Sequence, residues 1–257
     1  SLKAKVEQAL SIIRKEGIIG KHQQVRITKS SKPTEYRTSL KLVVSKNIAT
    51  YTNTPQPRFK LGLYQPKSHN VIDAVSCPIH SIALRNLLTQ LRLELEKSSI
   101  TPYDPKEKIG DLRYIAAKSS HLTEQTMLTF VVTDRKAEAE LKSLVQRLQG
   151  KKGVRIASAY LHINNSPGNE IFTRSTEPNT FRLQGKKRLR TSLCGLKFDV
   201  SPTGFMQVNP KQAETIYRRI EQLAGSGEKL SKTAFDLYCG SGQIGSVLAR
   251  NGYRIIG

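Results

Sequence analysis

The chain has 257 residues, 37% of them apolar, and 42 basic against 20 acidic side chains give it a net charge of +22. That length and apolar content suit one or two domains with a core. No apolar run nears the roughly 18 residues of a membrane span, and three cysteines, Cys77, Cys194 and Cys239, make no disulfide framework. The opening Ser1-Leu2-Lys3-Ala4-Lys5 does not read as a signal peptide. The charge points to a polyanion, most simply nucleic acid, and the cysteine usage to a reducing, cytoplasmic setting.

Residues 3–16 have Val6, Leu10 and Ile13 at helical spacing. The first 60 residues carry 13 basic and 3 acidic side chains. Within them 36–44 alternates as a half-exposed strand, with Arg37, Ser39 and Lys41 on one face and Leu40 and Val44 on the other. Arg37 and Lys41 are therefore expected to line an RNA backbone. The run 59–64 is expected to pair with that strand as a hairpin, and 71–73 is another short strand. Ile82, Leu87, Leu91 and Leu95 predict a helix over 79–96, with Pro78 near its first turn. After a polar loop at 103–110, strands are expected at 112–115 and 127–133. A helix over 137–148 ends at Gly150, and a strand follows at 154–164. The order predicts an α+β domain with a largely antiparallel sheet.

Residues 181–193 read as a hairpin arm whose middle carries Arg182, Lys186, Lys187, Arg188 and Arg190 without an acid. Lys186, Lys187 and Arg188 are expected to touch RNA. A strand at 196–200, a turn at 201–204 and a helix at 212–223 lead to a linker at 225–227. The domain boundary is expected near residue 198, giving domains 1–198 and 199–257. Five histidines, His22, His69, His80, His121 and His162, show no metal-ligand spacing.

Residues 234–238 form a short β-prone run, followed by Gly240 and Gly242 and then by Ile244, Val247, Leu248 and Ala249 at helical spacing. Strand, glycine turn and helix make the first unit of a doubly wound sheet, whose ligands bind at the carboxyl ends of the strands. Glycines let a ligand lie against the backbone. Gly240, Gly242 and Gly245 also satisfy the G-x-G-x-x-G spacing of dinucleotide sites, so this stretch alone leaves that alternative open. The D-x-x-x-G-x-G form, with Asp236 at the strand end, resembles instead the first motif of S-adenosylmethionine-dependent methyltransferases.

Phe205-Met206-Gln207-Val208-Asn209-Pro210 ahead of Asp236-Leu237-Tyr238-Cys239-Gly240 is more specific. This pair of motifs resembles the RNA uracil-5-methyltransferases, the 23S ribosomal RNA branch most of all. Val71-Ile72-Asp73 with Cys77-Pro78, Leu112 to Ile115, Ile163-Asn164-Asn165 with Gly168-Asn169, and Gly195 to Phe198 agree in order. The resemblance implies an RNA-binding α+β domain followed by the beginning of an α/β Rossmann-like methyltransferase domain. It implies that Gln207 contacts the methyl donor or the target base, that Asp236, Tyr238, Gly240 and Gly242 shape the donor turn, and that Gln243 bonds the donor where the family often has Asn. It implies C5-methylation of a uridine through a cysteine adduct at C6. That cysteine, a glutamate base and a ribose-binding acid are expected beyond Gly257, so no catalytic residue is assigned here and the sequence reads as an incomplete enzyme. Cys77 resembles the last ligand of a [4Fe-4S] cluster, but the C-x5-C-x2-C run for the other three is not present. The expected partner is RNA, 23S ribosomal RNA first. A transfer RNA substrate or a non-catalytic RNA-binding protein is the alternative, and a monomer away from membranes is expected.

Overall fold

The computed structural model describes residues 2–20, 25, 27–47, 57–168, 170–225 and 232–257. It resolves into two compact units, 1–33 and 34–257. The first unit holds α1 (Leu2–Lys15), whose Val6, Leu10 and Ile13 are half-buried. Its end is set by Gly17, left-handed at φ 68°, where the Ile18 N–H reaches the Ile13 carbonyl at 3.1 Å and the Gly17 N–H that of Arg14 at 3.1 Å. That pair of bonds satisfies two of the last carbonyls of the helix, those of Ile13 and Arg14.

The second unit is built on a seven-stranded sheet. Its elements run β1 (Ser39–Lys46), β2 (Phe59–Tyr64), β3 (Val71–Asp73), α2 (Ile82–Glu96), β4 (Leu112–Ser119), β5 (Thr126–Val132), α3 (Glu138–Gln149), β6 (Ile156–Ile163) and β7 (Thr180–Gly185). The spatial order is β3-β2-β1-β4-β5-β6-β7. Only β5 and β6 are parallel, joined by the α3 crossover; every other pair is antiparallel. The β1–β2 hairpin forms in the register Val44↔Leu61.

One sheet face is apolar. Leu40, Leu42 and Val44 of β1, Ile115 and Ala117 of β4, and Leu128, Phe130 and Val132 of β5 meet Leu84, Leu87, Leu88 and Leu91 of α2 and Leu141, Leu144 and Leu148 of α3. Each fully buried leucine adds about 2 kcal/mol. Helix α2 begins later than the periodicity predicts, at Ile82, because Ser81 accepts from the Leu84 N–H, while the Ile79 carbonyl and the Ser81 N–H bond the Arg37 backbone instead. The two helices are tied by Glu94, which is buried against Lys97, Arg147 and Lys151. Burial alone would raise the Glu94 pKa, but hydrogen bonds from Lys151, Lys97 and Arg147 win and hold it at about 2.

Among the described residues, the other face is covered mainly by loops. Phe172 stands edge-on to His162 at 5.2 Å, and the Thr173 N–H donates to His162 Nε2 at 3.1 Å. With Nε2 accepting, Nδ1 carries the proton and donates to Thr180 Oγ1 at 2.8 Å. Burial pushes the His162 pKa down to about 4. Farther along the same face, the loop 201–208 lies over β1 and β4, held by Lys118 and Thr38.

The expected hairpin over 181–193 does not form. β7 closes the large sheet against β6, whereas β8 (Leu189–Leu193) pairs with β9 (Leu196–Val200) in a separate ribbon. Gly185 makes the parting possible. It is left-handed at φ 80°, and a Cβ there would fall 2.1 Å from the Ala157 carbonyl oxygen. Beyond it Leu189 is buried with Met127, Ala157 and Tyr160.

The remainder is α4 (Pro210–Ala224), β10 (Thr233–Phe235), α5 (Gln243–Arg250) and β11 (Arg254–Ile256). Asn209 caps α4, its side chain accepting from the Gln212 N–H at 3.1 Å, and Pro210 occupies the first turn. β10 and β11 are parallel across the α5 crossover, the opening unit of a doubly wound sheet. An α+β body followed by a Rossmann-like parallel β-α-β unit is thus the architecture. The β8–β9 ribbon packs with the latter: Leu193, Leu196 and Phe198 join Ala213, Tyr217, Ile244 and Val247 in one cluster.

Candidate functional site

The turn between β10 and α5 is held open by its backbone. Tyr238, Gly240 and Gly242 all have positive φ, at 61°, 58° and 66°. A Cβ at Gly242 would meet nothing within 4 Å, and one at Gly240 only the Tyr238 carbonyl at 3.9 Å. Glycine is required there for φ, not for crowding, and the space against the backbone is free for a ligand. Tyr238 itself is a non-glycine residue in the left-handed region, and its side chain is fully exposed.

Gly245 answers to crowding instead. A Cβ there would come within 2.8 Å of Ile255 Cγ2 and 3.1 Å of Asp236 Oδ2. The third glycine thus lets helix and strand approach. Asp236 Oδ2 accepts from the Gly245 N–H at 2.9 Å. Since Gly242 offers α5 no side-chain cap, this carboxylate caps the helix from the strand end and lies at its positive pole. Asp236 therefore holds the turn's frame.

The second motif comes to the same place. Gln207 Nε2 donates to the Tyr217 hydroxyl at 3.0 Å, and that hydroxyl donates to Gln243 Oε1 at 3.3 Å. One hydroxyl on α4 thus joins the two glutamines that sequence assigns separately to donor contacts. Tyr217 and Gln243 are buried, 5% and 7% exposed, while Gln207 is half-buried. Each amide keeps one further polar atom, Oε1 of Gln207 and Nε2 of Gln243, an acceptor and a donor suited to an amino-acid carboxylate and ammonium or a pyrimidine edge. Tyr217 was not among the predicted site residues. Its only sequence signal is a place on the apolar face of the helix, where an aromatic reads as core.

The predicted RNA contacts fall in two places. Lys41 is exposed on β1, its Nζ 4.8 Å above the Phe172 ring. Arg37 precedes β1 and is half-buried beside His80, with its Nε buried and unbonded among the described residues. The open stripe expected from alternation is thus reduced to Lys41, because loops cover the middle of that face. Lys186, Lys187 and Arg188 are exposed on the bend between β7 and β8. That bend is fixed from below by Tyr160, whose hydroxyl donates to the Lys187 carbonyl at 2.6 Å.

Cys77 lies half-buried in the loop before α2. A [4Fe-4S] cluster takes four thiolates; the sequence has three cysteines, and no group of three or more metal-binding side chains exists among the described residues. The residues present do not fit a cluster. Burial and the neighbouring Glu214 raise the pKa of Cys194, an inert packed thiol. No helix among the described residues is long and apolar enough to cross a membrane.

Comparison with known proteins finds no matching family model. It does find relatives over most of the chain. One is an uncharacterized RNA methyltransferase of Geobacter sulfurreducens, 30% identical over 237 residues, covering 92% of this chain and 45% of the relative. Another, from Listeria monocytogenes, is 32% identical over 200 residues, covering 76% of this chain and 41% of the relative. The chain spans less than half the length of these curated relatives. Among solved structures, Pyrococcus abyssi tRNA (uracil-54, C5)-methyltransferase in complex with S-adenosyl-L-homocysteine shares the fold, with a TM-score of 0.65 and 22% identity over 88% of this chain and 49% of that one.

Proposed function

From the premise that the chain belongs to the RNA methyltransferase family of these relatives, we propose that the protein transfers a methyl group from S-adenosylmethionine to C5 of a uridine in RNA, 23S ribosomal RNA above all. The observation that carries the reading is the hydrogen-bond chain Gln207–Tyr217–Gln243 beside a glycine turn with free space on its backbone. Bound there, the donor supplies a sulfonium methyl. Gln207 and Gln243 orient it through their remaining amide atoms, and Asp236 keeps the turn attached to α5. Tyr238 offers a ring face to the donor.

We assign the RNA body to the large sheet and the donor part to residues 199–257, with the β8–β9 ribbon joining them: Leu189 packs on the sheet, and Leu193, Leu196 and Phe198 pack with α4 and α5. Lys41 and the Lys186-Lys187-Arg188 bend then supply phosphate contacts, with the protein acting as a monomer. None of Cys77, Cys194 and Cys239 is proposed as the thiolate that adds to C6. A transfer RNA uridine is the second reading, favoured by the substrate of the Pyrococcus relative. The test is transfer of tritiated methyl from S-adenosylmethionine to 23S ribosomal RNA and to transfer RNA, with 5-methyluridine identified after digestion. Label in the first alone supports the main reading and label in the second alone supports the other. Label in neither, with the whole protein as the enzyme, removes both.

A further inference from the structure

Lys118 is a charged residue in the middle of a sheet. It sits on β4, opposite Ser39 of β1 and Met127 of β5, and is 5% exposed. Isolated burial of an ammonium is costly, and burial, then repulsion from Lys41 on β1, pushes its pKa down to about 7. Its surroundings are nevertheless made for the charged form. Nζ donates to three backbone carbonyls, Ser201 at 2.7 Å, Pro202 at 2.8 Å and Gly204 at 2.6 Å. An ammonium has three hydrogens for three acceptors; a neutral amine has two.

The loop it grips runs directly into Phe205-Met206-Gln207. A second anchor lies just past that point. The Thr38 N–H donates to the Val208 carbonyl at 2.9 Å, and Thr38 Oγ1 donates to the Gln207 carbonyl at 3.2 Å. Thr38 is itself 6% exposed and continuous with β1. The loop between the anchors has no regular secondary structure of its own. Its only buried apolar side chain is Met206, while Phe205 is 68% exposed. Packing alone thus gives the loop little reason to stay, and the sheet fixes it from both ends through polar groups.

We propose that Lys118 and Thr38 are positioning residues that clamp the loop 201–208 to the sheet, so that Gln207 is presented to Tyr217 and the donor turn. The inference rests on the reading of Gln207 as a donor contact. It makes the RNA-binding sheet the template for the donor site, so donor geometry depends on strands far from it in sequence.

The test compares wild type with Lys118→Met, which keeps the aliphatic length and removes all three hydrogens, and with Lys118→Arg, which keeps a cation with several donors. Hydrogen–deuterium exchange across 201–209 reads the clamp directly, and calorimetry with S-adenosylhomocysteine and with a uridine-containing RNA hairpin reads its consequence. Lys118→Met is expected to speed exchange in that segment at least tenfold and to weaken S-adenosylhomocysteine about tenfold, with RNA affinity within about twofold of wild type. Lys118→Arg should recover most of both effects. Unchanged exchange in 201–209 overturns the proposal. So does equal loss of both ligands with faster exchange throughout the core, since the lysine would then support the whole fold. If Lys118→Met does not fold, Thr38→Val carries the test: faster exchange confined to 201–209 supports the clamp and no change refutes it. Wild type that binds no S-adenosylhomocysteine defeats the proposed function instead and leaves the exchange data to decide the clamp.

Discussion

Tyr217→Phe isolates the bond on which the donor site turns. The substitution keeps the ring, and so the packing against Leu193, Ala213 and Val247. It removes one oxygen that accepts from Gln207 and donates to Gln243. Two neutral hydrogen bonds are worth about 1 kcal/mol each, and Gln243, 7% exposed, has little water to replace its partner. A loss of about 2 kcal/mol follows, which at an m-value of about 3 kcal/mol/M lowers the urea midpoint by about 0.7 M. The two amides also become free to rotate out of register. If S-adenosylhomocysteine binds through both, losing about 1.4 kcal/mol of that alignment weakens it tenfold. Urea unfolding and calorimetry measure the two effects on the same protein. A variant with wild-type affinity for S-adenosylhomocysteine would show that the three side chains meet for packing reasons only.

Other expectations are independent of this one. Gly245→Ala places a methyl group 2.8 Å from Ile255 Cγ2 and 3.1 Å from Asp236 Oδ2; pushing α5 off the strands costs about 1–3 kcal/mol, seen as a lower urea midpoint, and a neutral result would mean the helix shifts freely. Glu94→Gln tests the buried ion cluster: the Glu94 carboxyl, held at about 2 against an ordinary 4.5, contributes on the order of 3 kcal/mol above pH about 4.5 that is lost as pH falls toward 2. Wild type should therefore exceed the variant in stability at pH 7 and match it near pH 2. Replacing Lys186, Lys187 and Arg188 with Ala should leave stability unchanged and weaken RNA binding, with the slope of log K against log salt shallower by about 2; an unaltered slope takes that bend out of the RNA contact surface.

Much of this was legible in the sequence because the apolar pattern is regular. Leu40, Leu42 and Val44 alternate as a strand must, and Leu84, Leu87, Leu88 and Leu91 share a helix face. The β-prone part of β4 ends at Ile115 in the sequence, since Ala116, Ala117, Lys118 and Ser119 carry little β-propensity, yet the strand runs on to Ser119. They stay in the sheet because their backbones pair with β1 and β5, and Lys118 finds its side-chain partners in a loop over eighty residues away. The hairpin misreading has the same origin: whether 189–193 pairs backward with 181–185 or forward with 196–200 depends on a left-handed Gly185 pressed onto Ala157, which no local pattern reveals. At the site, the motifs singled out Gln207, Asp236 and Gln243. That Asp236 caps a helix, and that a tyrosine hydroxyl links the glutamines, are facts of tertiary approach.

Backbone amide spectra of the protein titrated with S-adenosylhomocysteine test the central claim most directly. The account predicts saturable shifts concentrated at Tyr238, Gly240, Gly242 and Gln243, accompanied by the side-chain amide of Gln207, with the β1–β6 strands quiet. Saturation with shifts confined to other parts of the chain, or no shift at all, would contradict it.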